Sequence, residues 1–241
     1  MSTQSFYDTY WPRNVPDPAR AAEHVRSIVP PGPFRRALDA GCGTGVCCPA
    51  LAERSRQVIG LDLSFGSLRT AASLFGVRAC HASVLELPLP SSSFDLVFCW
   101  GVIHHTSDPI RALDELVRVL EPGGTLVVAV YLRTWLTPVH ELARWACLRL
   151  PRAWRPVVVR GVASLVRARA HLAPLPTARD DNPLIESQVE DWFCVPEKHF
   201  FSIDQMARLF TERSLSFELL DAHTGRFRSS SNFVARGRRR A

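Results

Sequence analysis

Residues 37–45 read Ala37-Leu38-Asp39-Ala40-Gly41-Cys42-Gly43-Thr44-Gly45. A short apolar run ends in a Gly-x-Gly-x-Gly turn, and a helical pattern follows over 45–54. Glycines at such a turn permit positive φ and let backbone amides approach a ligand closely. Seventeen residues after Gly45 a second apolar run, 57–62, ends at Asp62. Strand-then-helix alternation continues outward from there. Helices are expected over 64–75 and 109–120, and strands over 36–40, 77–81, 94–100 and 125–131. Short buried strands alternating with helices imply an α/β fold, a parallel sheet covered on both faces. In a doubly wound sheet the ends of the first two strands lie side by side at the carboxyl edge.

A carboxylate at the second strand end can accept both hydroxyls of a ribose, so a nucleotide-bearing cofactor is implied. A dinucleotide loop reads G-x-G-x-x-G and seats a pyrophosphate on the helix N-terminus. Here the third glycine comes one residue early, and Asp39 stands two residues before the first. A carboxylate there repels a pyrophosphate and suits a cationic amino acid. S-adenosylmethionine carries a ribose, an ammonium and a sulfonium but no phosphate. The glycine spacing disfavours a dehydrogenase.

Taken with these features, residues from about 34 to 131 resemble the class I S-adenosylmethionine-dependent methyltransferases, in particular a small-molecule type with a quinone-methyltransferase-like core. Asp62-Leu63-Ser64, Ser83-Val84-Leu85-Glu86-Leu87-Pro88, Phe94-Asp95-Leu96-Val97, Gly101-Val-Ile-His-His-Thr106 and Arg118-Val-Leu-Glu-Pro-Gly-Gly124 match its landmarks in order. The resemblance implies a Rossmann-like, mostly parallel seven-stranded sheet. An antiparallel C-terminal hairpin and a helical insertion after strand five complete it. It implies that Asp39, Gly41, Cys42, Gly43 and Gly45 hold the methionine part of the cofactor, and Asp62 and Leu63 the ribose. Ser83 and Val84 would line the adenine, with serine where the family commonly has aspartate. Tyr10, Trp100 and Gly101 complete the implied cofactor set, and Tyr7 and Trp11 would close over it. His104 and His105 follow strand four beside the reacting methyl. Either can act as general base, since imidazole titrates near neutrality; the family also uses the second histidine to shape the loop.

The remaining sequence divides into a proline-bearing N-terminal cap (1–33, with a helix over 18–29), the cofactor-binding core (34–131), an insertion or lid (132–200), a last helix and hairpin (201–236) and a basic tail (237–241) expected to fray. Ser202 to Gln205 reads as a capping box opening that helix. The strands of the hairpin are expected over 216–222 and 230–236. The chain is 241 residues long and 46% hydrophobic, with mean hydropathy +0.01, which excludes a disordered tail and a disulfide-stapled miniature. No signal peptide or membrane-length apolar run is present, so a cytoplasmic protein is expected. Seven cysteines without zinc spacing read as small buried hydrophobes, and no metal is expected. Asp180-Asp181-Asn182 reads as a solvated loop rather than an ion site.

Charge is uneven: residues 1–130 carry net −1 and residues 131–241 net +7. Residues 131–179 hold nine arginines, one acid (Glu141) and three tryptophans. Over 156–172 an amphipathic helix is expected, with Arg160, Ser164, Arg167 and His171 as its polar stripe and Val158, Val159, Val162, Leu165 and Val166 opposite. Ordinary packing with solvated arginines explains the insertion, and so do three sharper readings: a small-molecule pocket, a peripheral membrane contact, or a grip on RNA phosphates. The expected function is methyl transfer to a small molecule such as a quinone, lipid or specialised metabolite, at oxygen first and at nitrogen or carbon otherwise. The alternatives are an RNA (tRNA) methyltransferase and a non-catalytic cofactor-binding module. No obligate protein partner is evident in the sequence.

Overall fold

Seven apolar segments pair into one sheet in the computed structural model, which describes residues 3–10, 15–151, 153–172, 185–221 and 232–240. The elements run α1 (Thr3–Tyr10), α2 (Pro18–Ile28), β1 (Phe34–Ala40), α3 (Cys48–Ala52), β2 (Ser55–Asp62), α4 (Phe65–Phe75), β3 (Ala79–His81), β4 (Phe94–Trp100), α5 (Pro109–Val119), β5 (Leu120–Tyr131), α6 (Thr137–Arg149), α7 (Arg155–Leu172), α8 (Ile185–Cys194), α9 (Ile203–Glu212), β6 (Glu218–Asp221) and β7 (Asn232–Arg238). Strand order is β3-β2-β1-β4-β5-β7-β6. The first five strands are parallel, and β7 runs antiparallel to both β5 and β6. This is the expected doubly wound sheet with its edge hairpin.

The sheet is apolar on both faces because helices cover both. Leu38, Val97, Leu126 and Val128 pack on one side with Leu113 and Leu116 of α5 and Phe210 of α9. Ala37, Leu96, Phe98 and Val127 pack on the other with Val25 and Ile28 of α2 and Leu51 of α3. Side-chain caps fix several helix starts: Asp17, Ser64, Asp108 and Ser202 each accept a backbone N–H from the first turn.

Four readings of the sequence change. The helix after the glycine loop is shorter than expected, because residues 43–47 are turns and only Cys48–Ala52 is helical. The N-terminal segment is not one cap. α2 belongs to the sheet layer, while Phe6 and Tyr10 of α1 join Cys147, Val159, Ala163, Ile185 and Val189 of α6, α7 and α8 in a separate small core. The basic tail does not fray through Arg240. Gly123 donates to the Arg239 carbonyl, Arg239 donates back to that of Gly124, and Arg240 donates to that of Ser214. On α7, Val159 is buried as expected, but Leu165 is 72% exposed. Trp11, residues 180–182 and the tip of the hairpin lie outside the described residues, as does the side chain of His171.

Candidate active site

The chain winds outward from β1 through β2 to β3, and in the other direction from β4 through β5. β1 and β4 are neighbours, so their following loops diverge and leave a crevice at the carboxyl edge, where ligands of such sheets bind. Gly41, with φ +83°, sits at that divergence. A Cβ there would lie 2.2 Å from Cγ2 of Val102, a residue of the loop after β4. Only glycine permits this contact, so the two loops interlock at residue 41. The Gly41 and Cys42 amides both donate to the Leu61 carbonyl, at 2.6 and 2.9 Å, which ties the loop to the end of β2.

Two carboxylates meet beneath this loop. Asp62 receives the Gly43 amide on Oδ2 and the Ser64 amide on Oδ1, each at 2.8 Å. A carboxylate has about four lone-pair positions, so Asp62 retains acceptor capacity for a ligand hydroxyl. Burial raises the Asp62 carboxyl, and the amide hydrogen bonds oppose that rise. Asp39 is more deeply buried, and its Oδ2 accepts from the Cys48 thiol at 3.2 Å. Among the described residues Asp39 forms no ion pair. Burial without a cation pushes its carboxyl up to about 7, the Cys48 thiol working against the rise and Asp62 adding to it. Beside them the buried Thr44 hydroxyl has no hydrogen-bond partner. An unpaired acid, an orphan hydroxyl and spare carboxylate lone pairs fit a ligand bearing an ammonium and ribose hydroxyls.

A second polar cluster lies at the same edge, where the insertion meets the sheet. The His105 ring is buried, and its Nδ1 faces the Glu197 carbonyl at 3.0 Å. A carbonyl only accepts, so Nδ1 carries the proton and a neutral ring presents its lone pair at Nε2. That Nε2 is 3.7 Å from Oδ1 of Asp191 on α8. The Tyr7 hydroxyl donates to Asp191 Oδ1 at 3.3 Å, and the Tyr131 hydroxyl donates to Oδ2 at 2.5 Å. Lys198, whose side chain is 1% exposed, donates to the Asp191 carbonyl at 3.1 Å and stands 3.9 Å from Oδ2. Its ammonium also lies 4.1 Å from the centre of the Tyr131 ring.

The charges in this cluster follow from burial and neighbours. Burial lowers Lys198 to about 8, with Asp191 resisting, so it stays largely protonated at neutral pH. Burial lowers His105 to about 4, again against the pull of Asp191, so the ring is neutral. Burial would raise Asp191, but His105, Lys198 and the Tyr131 hydroxyl hold it below the ordinary carboxylate range. His104 differs from its neighbour. Its ring lies 4.2 Å from that of Tyr131 and hydrogen-bonds the Ala129 backbone, and its Nδ1 has no partner. Burial first, then His105 and Lys198, keep it neutral.

The other residues named from the sequence divide by what their side chains do. Trp100 packs against His24, with ring centres 4.0 Å apart, and Phe98, leaving its backbone for a ligand. The Tyr10 hydroxyl donates to the Ser187 carbonyl, joining α1 to α8. Leu63 is partly exposed and offers its carbonyl to Gln4 and His81. The Ser83 hydroxyl caps the Leu85 amide, and Val84 is buried in the sheet core. Gly45 and Gly101 take positive φ. Asp191, Lys198 and Tyr131 were not singled out from sequence. A cleft of about 450 Å³, lined by residues that include Arg133, Thr137, Lys198 and His199, touches this cluster but not the glycine loop.

Residues 38–128 match the family model described as a methyltransferase domain. An uncharacterised methyltransferase of Mycobacterium bovis is 33% identical over 142 residues, 57% of this chain and 66% of that protein. A demethylmenaquinone methyltransferase of Clavibacter sepedonicus is 34% identical over 148 residues, 60% and 59% of the two chains. The matched stretch thus spans less than two thirds of either relative's length. The N-methyltransferase NodS of Bradyrhizobium japonicum, solved with S-adenosyl-L-homocysteine, superposes with a TM-score of 0.63. That superposition covers 99% of both chains at 15% identity, a likeness of fold. The switch-point glycine loop, the acid ending β2 and the 3-2-1-4-5-7-6 sheet frame a core, residues 38–128, that belongs to the methyltransferase domain family and carries the class I S-adenosylmethionine-dependent methyltransferase fold.

Proposed function

We propose that this chain methylates a small-molecule acceptor, at oxygen first, using His105 as the general base and Asp191 to position it. The observation that carries this reading is the enclosed His105–Asp191–Tyr131–Lys198 cluster, roofed by α1 and α8 at the carboxyl edge of β4 and β5. A site closed on that scale suits a small acceptor rather than a folded RNA. Several arginines of the insertion are also committed internally. Arg144 donates to the Val195 and Pro196 carbonyls, Arg155 to that of Leu148, and Arg167 pairs with Glu186.

When bound, S-adenosylmethionine supplies a methyl group on a sulfonium, which is electrophilic without further activation. Asp39, Thr44 and Asp62 are the groups that would hold it. Asp39 supplies the negative charge for an ammonium, and Asp62 the lone pairs for hydroxyls. His105 holds its proton at Nδ1 against Glu197 and takes the acceptor's proton at Nε2. Asp191 stabilises the imidazolium that results, in a water-poor setting where that charge pair is strengthened. The Tyr7 and Tyr131 hydroxyls hold Asp191 in place. His104 packs the turn and has no part in the proton transfer.

The test is transfer of labelled methyl from S-adenosylmethionine to a panel of phenols, enols, carboxylic acids and amines, with bulk tRNA alongside. Turnover of a phenol or enol, reduced on the order of 10²-fold in His105→Ala, supports the reading. Salt-sensitive labelling of tRNA alone overturns it. Equal activity in His105→Ala removes the base from the mechanism.

A further inference from the structure

Helix α6 carries apolar side chains on both sides. Its inward side carries Thr137, His140, Arg144 and Cys147, and Arg144 is tied to two backbone carbonyls of the segment after α8. Its outward side carries Val139, Leu142, Trp145 and Ala146, at the spacing of one helical face. Trp135 precedes the helix on the exposed side, and Trp154 follows in the turn to α7. Val139, Leu142, Trp145 and Trp154 are between 53% and 66% exposed and Trp135 is 85% exposed. Apolar surface of this extent on one face marks a contact site. Among the described residues nothing covers it.

We propose that the outward face of α6, with the turn into α7, docks on the surface of an anionic lipid bilayer. Charge selects this occupant. Arg149 lies on the apolar face, its guanidinium 3.7 Å from the Trp145 ring centre, and Arg160 is exposed on α7. Arg144, Arg155 and Arg167 are held internally, so Arg149 and Arg160 carry the outward charge, against Glu141 as the one acid of residues 131–179. A two-fold contact between copies of the chain would bring Arg149 and its neighbours toward their own like charges. Negative headgroups accept them. Tryptophan rings and arginine stems are suited to the boundary between headgroup and acyl chain. The thirteen-residue α6 is too short to span a bilayer, and among the described residues no helix is long and apolar enough to cross one. The helix therefore lies in the plane of the surface.

The experiment is co-sedimentation of the full chain with vesicles of phosphatidylcholine alone and of phosphatidylcholine mixed with phosphatidylglycerol. Brominated acyl chains in the mixed vesicles quench tryptophans that enter the boundary. The expected result is partition onto mixed vesicles at least tenfold stronger than onto phosphatidylcholine, weakened by salt, with quenched fluorescence. A Leu142→Ser, Trp145→Ser double variant should lose at least tenfold in partition while keeping the wild-type circular dichroism and melting temperature, because both side chains already face solvent. Equal partition onto the two vesicle types overturns the proposal, as does a double variant that binds like wild type. So does a concentration-dependent dimer, seen by sedimentation velocity, that the double variant abolishes. That result assigns the face to a second copy.

Discussion

Asp39 holds the plainest functional signal of any single residue. A buried carboxyl at about 7 is costly in the ligand-free protein, and the sign of the cost is fixed. Between the ordinary carboxylate value and about 7 the native site keeps a proton that the unfolded chain has released. The associated stability is therefore full at low pH and lost as pH rises through about 7. Asp39→Asn removes the charge and keeps the shape. It should raise the melting temperature of the ligand-free protein at pH 8 by a few degrees, on the order of 1–2 kcal/mol, and weaken S-adenosylmethionine binding at least tenfold. Paired thermal melts and titrations check it; a variant that melts lower yet binds normally makes Asp39 structural. His105 has the opposite sign. Its value of about 4 lies below the unfolded one, so its contribution to stability is lost as pH falls from about 6.5 toward 4. Asp191→Asn removes the charge that props His105 up. The acid limb of kcat should move to lower pH while kcat at neutral pH falls on the order of tenfold. A merely structural Asp191 leaves the limb where it is.

Among the elements, the glycine loop was legible and the lid was not. The loop is local: strand, turn and acid are read within twenty-six residues, from Ala37 to Asp62. Its constraint is also local, so Gly41→Ala should cost roughly 2 kcal/mol or more through backbone strain at positive φ and the clash with Val102. Chemical denaturation reads this directly, and a cost within experimental error would contradict the interlocked loops. Asp191 and Lys198 reach His105 from more than eighty residues downstream, and no spacing rule joins them. One clue was present: Lys198 is the single lysine among 29 basic residues. Helix α6 escaped notice because amphipathic spacing shows that a helix has two faces but not which one turns inward. Leu165 on α7 is the same ambiguity met from the other side. The tail was misread because its clamps, Gly123 and Ser214, lie in other elements.

At the scale of the whole molecule, the sheet and the lid are two cores that meet along one edge. The segment 197–201 joins them. The Glu197 carbonyl accepts a hydrogen bond from His105 Nδ1, the His199 amide donates to the His104 carbonyl, and the Phe201 amide donates to that of Tyr131 at the end of β5. The sheet order brings the β1 and β4 loops together, and α1, α8 and this segment close over the β4 loop at His105. Alternation of strand and helix made the sheet readable from sequence, since both faces are apolar and the period changes at each turn. The lid core depends on α1, α6, α7 and α8 finding one another across most of the chain, which local pattern does not encode. The proposed function puts cofactor binding at the sheet edge, through Asp39, the glycine loop and Asp62. Calorimetric titration of the purified, ligand-free protein with S-adenosylmethionine, alongside Asp62→Ala and with NADH as control, tests that claim most directly. The account predicts micromolar binding that Asp62→Ala weakens at least tenfold, with no heat from NADH. Binding to NADH alone, or S-adenosylmethionine affinity unchanged in Asp62→Ala, would contradict it.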